Sequence, residues 1–328
     1  MIILYDDLSF SFSKVAGLLK RGLELIGYRS VHIASVHTVL YVPRTYEIII
    51  IGDTAWFASS KEYRKFRTDK IIIWADSPVD PEWIASHDTF GDVCHYACHP
   101  FWASQYEKHG IKTFGWIPRP IDHQTVSKIL STPREILCKD LWEKFGRYIL
   151  MVGSDHVLGY SNPPRKGIDA YDAMCEKIRA KHDVMCIYVG SWSVRNAIKV
   201  SYHGGLSEYE LLRLMRCADV FVWPSRSEGF GMPPVEAMSV GTPVVCSSAP
   251  FNSHILGIKY DISEVKVVWS HAVQMPYMIW DYRVQDLIDA VDYALSLAPN
   301  EREETSKMLI EHSKIYRNDL VALAVSQL

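Results

Sequence analysis

The chain has 328 residues, 48% of them hydrophobic, with 35 lysines and arginines against 38 aspartates and glutamates. That length suits roughly two domains of ordinary size, each with apolar content for its own core. The net charge of −3 excludes nucleic acid as the main partner, since phosphate-backbone binding needs surplus lysine and arginine. The longest apolar runs, such as residues 48–51, are far too short to span a bilayer.

Along the chain, Met1 leads straight into a strand-like run at 2–5, which predicts that no signal peptide precedes the fold. Further strand-like runs at 30–34, 48–51 and 71–74 alternate with stretches of helical spacing. The clearest of these is 13–25, with Val15, Leu18, Leu19, Gly22 and Ile26 along one side and Lys20, Arg21 and Glu24 on another. Such alternation predicts a parallel sheet with helices on both faces. The polar stretch Ser131-Thr132-Pro133-Arg134-Glu135 reads as a linker, and a second series opens at Tyr148. It continues through 184–189, 219–223, 244–247 and 266–269, with helical spacing at 284–297 and from 301 to the end. Seven cysteines, an odd number, predict reduced thiols of a cytosolic protein rather than a disulfide scaffold. No repeat or low-complexity segment interrupts the pattern.

Four smaller features carry candidate chemistry. Cys94-His95-Tyr96-Ala97-Cys98-His99 places cysteines and histidines at i,i+4, which on a helix could start a zinc site. No second ligand pair follows, so buried thiols with surface histidines are the simpler reading and no metal is expected. Lys61, Arg64, Lys65, Arg67 and Lys70, with Tyr63 and Phe66 among them, make a basic, aromatic stretch over 61–70. A solvated helix face explains it most simply; a lipid-linked acceptor at an anionic membrane is the alternative. Among the tryptophans, Trp142 and Trp223 sit in core-like contexts, whereas Trp83, Trp102 and Trp192 could stack on a sugar. Asp76 and Asp80 follow the strand-like run at 71–74, where a ligand-facing residue would belong.

Residues 224–243 are the most informative block: Pro-Ser-Arg-Ser-Glu-Gly-Phe-Gly-Met-Pro-Pro-Val-Glu-Ala-Met-Ser-Val-Gly-Thr-Pro. It predicts strand, glycine loop, helix, strand, with the loop at a strand's carboxyl end, where open α/β sheets bind ligands. Gly229 and Gly231 let a ligand approach bare backbone N–H groups. Pro233 and Pro234 suit a helix's first turn, whose N-terminus favours an anion such as phosphate. Glu228 and Glu236, eight positions apart, are acceptors fit for neighbouring sugar hydroxyls. Phosphate together with two polyol-reading carboxylates describes a sugar nucleotide.

The block resembles the E-x7-E signature of retaining glycosyltransferases with the GT-B fold, in the large family four, the glycosyl transferases group 1. The resemblance extends upstream. His203-Gly204-Gly205-Leu206-Ser207 with Ala218-Asp219-Val220 is similar to the family's nucleotide-facing loop and strand. Tyr148 to Gly153, followed by Pro164-Arg165-Lys166-Gly167, is similar to the strand and phosphate-lysine loop. Ile117-Pro118-Arg119-Pro120-Ile121-Asp122 is similar to the family's Ile-Pro-Asn-Gly-Val-Asp turn. Two departures touch phosphate and acceptor handling. Ser154-Asp155-His156 stands where the family usually places an arginine after Gly153, and Asp6 to Ser13 replaces the glycine-rich loop after the first strand. Arg165 and His156 are the candidates to supply the missing positive charge.

The resemblance implies an α/β fold of two Rossmann-like doubly wound domains facing across a cleft, with a C-terminal helix crossing back to the first. The boundaries expected are 1–135 for the acceptor side, 136–310 for the nucleotide-sugar domain and 311–328 for the returning helix. It implies a metal-independent, retaining transferase of the hexosyl type, using a nucleotide-diphospho-sugar, a UDP- or GDP-sugar, as substrate and no cofactor. The acceptor would be a glycan, a lipid-linked sugar or a small molecule. Glu228 and Lys166 are the catalytic candidates. Gly153, Arg165, Ser225, Gly229, Phe230, Gly231, Met232, Glu236, His203 and Gly204 are the donor-binding ones. Relatives often place a useful histidine near 76; this chain has Asp76 there and His87 later. Asp76, Asp80 and Lys14 are therefore the acceptor-side candidates. A cytoplasmic protein, with membrane association through 61–70, is the expected setting. The alternatives are a GT-B sugar-nucleotide epimerase and a non-catalytic sugar-nucleotide-binding subunit.

Overall fold

A computed structural model describes residues 1–328 apart from 6–9, 40–41, 43–45, 61, 67–70, 88–92, 154–162, 201–205 and 271–273. The chain divides into two compact units, one of Met1–Asp122 with Ile315–Leu328 and the other of His123–Lys314.

The first unit is built on a five-stranded parallel sheet of β1 (Ile2–Tyr5), β2 (His32–Ser35), β3 (Ile48–Asp53), β4 (Ile71–Asp76) and β5 (Cys94–Tyr96), in the order β2-β1-β3-β4-β5. β3 is a run of apolar residues because helices cover both faces of the sheet, and its four isoleucines are all buried. The helix Phe10–Leu25 buries Val15, Leu18, Leu19 and Leu23. The last helix, Asn318–Ser326, packs on it, with Asn318 donating its amide to the Leu18 carbonyl at 3.3 Å. Sequence spacing predicts one helix from 301 onward; instead Pro299–Ser313 gives way to the 3₁₀ turn Lys314–Tyr316 before Asn318 starts the final helix.

The second unit holds a six-stranded parallel sheet: β6 (Tyr148–Val152), β7 (Met185–Val189), β8 (Ile198–Val200), β9 (Val220–Trp223), β10 (Val244–Ser247) and β11 (Ile258–Tyr260). Its order is β11-β10-β9-β6-β7-β8. From β6 the chain winds outward to β8, then returns to the other side of β6 for β9. The sheet's switch point therefore lies between β6 and β9, where the loops leaving neighbouring strands part in opposite directions.

Residues 266–269 do not continue the parallel series. They belong to β12 (Glu264–Ser270), which pairs antiparallel with β13 (Met275–Asp281) as a separate hairpin. The expected linker at 131–135 is fixed to the second unit. Arg134 donates to the carbonyls of Arg216 and Ala218, both at 3.1 Å, and lies over the Trp142 ring. The units divide at Asp122–His123 because the helix His123–Leu130 packs on the helix Glu208–Cys217.

Two readings of the cysteines need correction. Cys138 and Cys217, 79 positions apart, form a buried disulfide, so the thiols are not all reduced; Cys94, Cys98, Cys175, Cys186 and Cys246 are not disulfide-bonded. The odd count gave no hint, since pairing across 79 residues depends on Cα atoms brought to 5.4 Å by the fold. Cys94 begins a strand rather than a helix, so i,i+4 spacing does not align it with Cys98. His95 and His99 are wholly buried, not surface residues. His95 approaches the Thr54 hydroxyl at 3.4 Å, and His99 caps the helix Pro100–Lys108 by accepting the Phe101 N–H at 3.0 Å.

Candidate functional site

At the carboxyl end of β9 the chain enters Pro224-Ser225-Arg226-Ser227-Glu228, all buried. Gly231 has φ +82°, a left-handed backbone suited to glycine, and caps the helix Met232–Ser239. Met232, Pro233 and Pro234 form that helix's first turn, where proline removes no needed donor. Across the switch point, 163–167 approach the same place. Gly167 has φ +68°, and a side chain there would collide with the Pro224 carbonyl oxygen 2.0 Å away. Only glycine lets the two loops come this close.

Their closest meeting is between Lys166 and Glu228. The ammonium donates to Glu228 Oε1 at 2.5 Å, the Ser225 hydroxyl donates to the same oxygen at 2.5 Å, and Arg165 Nη1 lies 3.7 Å from Oε2. Arg165 also donates to the Ser227 carbonyl at 2.9 Å. Lys166 sits over the Trp223 ring, 5.2 Å from its centre. Burial pushes the Glu228 carboxyl up, but the Lys166 and Arg165 charges, with hydrogen bonds from Lys166 and Ser225, outweigh it and hold the group below its ordinary value. The site thus keeps a carboxylate and cations in a place largely closed to water.

The remaining candidates divide. Gly153 directly follows β6, donating to the Val189 carbonyl at 3.0 Å and accepting the Tyr188 hydroxyl at 2.6 Å. Phe230 is buried and stacks on His254 with centroids 4.6 Å apart. Glu236 is buried one turn into the helix Met232–Ser239. Gly229 and Met232 flank the loop and are half-buried. His156, His203 and Gly204 lie outside the described residues.

In the first unit, Asp76 ends β4 in register with Asp53. Asp80 accepts the Glu82 N–H at 3.2 Å, capping the helix Pro81–His87, and Lys14 is half-buried in the helix Phe10–Leu25. Trp102 is wholly buried, so it is a core residue and not a sugar platform; Trp83 stacks on His87 at 3.9 Å. Tyr63 and Phe66 of the basic stretch are likewise core residues, which leaves Arg64 as its exposed described cation. Among the described residues, no helix is long and apolar enough to cross a membrane.

Sequence reasoning passed over Arg226, within the block's variable positions. It is buried, pairs with Asp169 through both terminal nitrogens at 2.8 and 3.0 Å, and with Asp281 through Nε at 2.9 Å. A lone arginine between two serines has no spacing signal, because its partners come from distant segments.

The two sheet orders define a GT-B fold. A sucrose-phosphate synthase from Thermosynechococcus elongatus superposes with TM-score 0.65 at 14% identity, over 99% of this chain and 97% of its own. A trehalose-6-phosphate synthase does so with TM-score 0.60 at 13%, over 96% and 75%. Residues 163–311, which hold Lys166, Glu228 and Glu236, match the family Glycosyl transferases group 1. That match spans 149 of the 328 residues, all within the second unit. The chain is 32% identical over 106 residues to the putative glycosyltransferase 41 of Sulfolobus islandicus filamentous virus, covering 31% of each chain. It is 32% identical over 93 residues to a phosphatidyl-myo-inositol mannosyltransferase of Propionibacterium freudenreichii, covering 28% of this chain and 24% of that protein. The chain spans less than a third of the length of these curated relatives.

Proposed function

We propose that the protein is a retaining glycosyltransferase that moves a sugar from a nucleotide-diphospho-sugar, a UDP- or GDP-sugar, to an acceptor hydroxyl without a metal ion. The observation that carries this reading is the Lys166–Glu228 pair at the switch point of the second unit. A bound donor can divide that pair, offering hydroxyls to Glu228 and diphosphate oxygens to Lys166. A structurally similar E. coli protein was solved bound with UDP-2-fluoro glucose, which supports a nucleotide-sugar ligand.

In this reading Lys166, with Arg165 beside it, stabilises charge on the departing diphosphate, and Glu228 holds the transferred sugar as it becomes positive at its anomeric carbon. The leaving oxygen takes the acceptor's proton on the same face, so no protein nucleophile is needed. Ser225 fixes Glu228, and the amides of 229–232 touch sugar or phosphate. Gly153 allows the diphosphate close approach, and Glu236, with the 203–204 segment, holds the nucleoside. Asp76, Asp80 and Lys14 of the first unit are assigned to the acceptor. A lipid-linked acceptor would bring the stretch 61–70 to an anionic surface.

Incubation with a panel of radiolabelled nucleotide sugars and simple acceptors tests the proposal. Transfer supports it. Isomerised donor alone points to an epimerase, and binding without turnover to a non-catalytic subunit. Activity should persist in excess chelator, and a loss restored by magnesium would refute metal independence.

A further inference from the structure

The roles assigned above leave the buried Arg226 guanidinium unused. Besides Asp169 and Asp281, it donates through Nη1 to the Pro164 carbonyl at 2.8 Å. Its backbone N–H donates to the Arg165 carbonyl at 2.8 Å, and its carbonyl accepts the Trp280 N–H at 2.9 Å. The Tyr282 ring lies beneath it, 4.9 Å from ring centre to guanidinium carbon, and the Tyr282 hydroxyl donates to the Pro224 carbonyl. Lys266 reaches the other oxygen of Asp281 at 3.0 Å. Three segments far apart in sequence therefore meet at one side chain: 164–169 with Lys166, 224–228 with Glu228, and the end of β13.

Arg226 does not read phosphate in this arrangement. Asp169 occupies the edge formed by its two terminal nitrogens and Asp281 its Nε, so no two-pronged face is left for an anion. The contacts run instead between the two ligand loops. We propose that Arg226 is a positioning residue that sets the spacing of Lys166 and Glu228, and that the β12–β13 hairpin serves the site as its anchor through Asp281. The donor-binding part of this proposal rests on the function proposed above.

The test compares Arg226→Met and Arg226→Lys with the unaltered chain in two measurements. Hydrogen exchange without ligand should quicken in both 163–167 and 224–231. Calorimetric titration should show UDP or GDP binding weakened about tenfold by the misplaced lysine, with UMP and GMP binding unchanged. In a Lys166→Met background Arg226→Met should add no further loss, because its effect passes through that lysine. Equal weakening of mono- and diphosphates, losses that multiply in the double variant, or unchanged exchange in both loops would overturn the proposal. If the arginine variants do not fold, Asp281→Asn, which leaves the Asp169 pair intact, is read by the same criteria. An unaltered chain that binds no nucleoside diphosphate would defeat the donor reading, and the exchange measurement would still judge Arg226.

Discussion

Both units wind a parallel sheet outward from a central strand, yet they furnish their switch points differently. In the second, the loops beyond β6 and β9 bring Lys166, Arg165 and Glu228 together. In the first, the switch lies between β1 and β3, and Asp53 at the end of β3 is engaged internally. Its Oδ1 accepts the N–H groups of Ala55 and Trp56 at 2.9 and 3.1 Å, and its Oδ2 accepts the Ser77 hydroxyl at 3.0 Å. One carboxylate closes a helix; the other faces cations that a ligand can use. The same winding offers the same place twice, and loop composition decides what is done there.

The largest expected difference between the units is in stability. The Cys138–Cys217 bond closes a loop of 79 residues within the second unit, which on the chain-entropy account is worth about 4 kcal/mol. Replacing both cysteines by alanine should lower the second unit's melting temperature, followed by hydrogen exchange of β6 and β9, while β1 and β3 keep their protection. Equal loss in both units would mean that they unfold together.

Acid should strike the units in the opposite order. Burial lowers the pKa of both His95 and His99 in the first unit to about 4. The unfolded chain takes up these protons near pH 6.5 and the folded chain only near 4, so stability is full above 6.5 and falls as pH drops through that window. A loss of about 2–3 kcal/mol per histidine is expected. Glu228 is an acid whose pKa is likewise held below its ordinary value, by the cations beside it, so its contribution disappears only at lower pH. Exchange in β4 and β5 should therefore quicken between pH 6.5 and 4 while the 224–231 loop holds. The reverse order would show that these histidines are not buried neutral.

Activity gives the next contrast. Glu228→Gln should lower turnover roughly a hundredfold if one charged hydrogen bond of about 2–3 kcal/mol to the transition state is lost. Asp53→Asn should cost only the cap's share of stability, about 1 kcal/mol, with turnover nearly unchanged. Glu236→Gln should affect turnover far less than Glu228→Gln does. Ribose charge does not change during transfer, so this variant should raise the apparent donor constant and largely spare turnover. If Glu236→Gln loses turnover and Glu228→Gln does not, the roles are exchanged.

What could be seen in the sequence follows from how each element is buried. Strands covered on both faces, such as β3, β6 and β9, are unbroken apolar runs and stand out. β8 and β11 are three-residue edge strands without such a run, and β5 is a short strand spelled Cys-His-Tyr. β12 carries alternating valines that suit either a parallel or an antiparallel partner, so its hairpin was not apparent. The site shows the same divide. Glu228, Lys166 and the glycines are local and lie within recognisable loops. Arg226, Asp169, Asp281 and Tyr282 act through contacts 55 to 58 positions apart, and no periodicity marks such pairs.

The central claim, that the second unit's switch point is the donor site, is tested most directly by hydrogen exchange with and without saturating UDP or GDP. Protection should appear in 163–167 and 224–236 and be absent around Asp53 and 76–80. Protection at the first unit's switch point, with 163–167 and 224–236 unchanged, would contradict it.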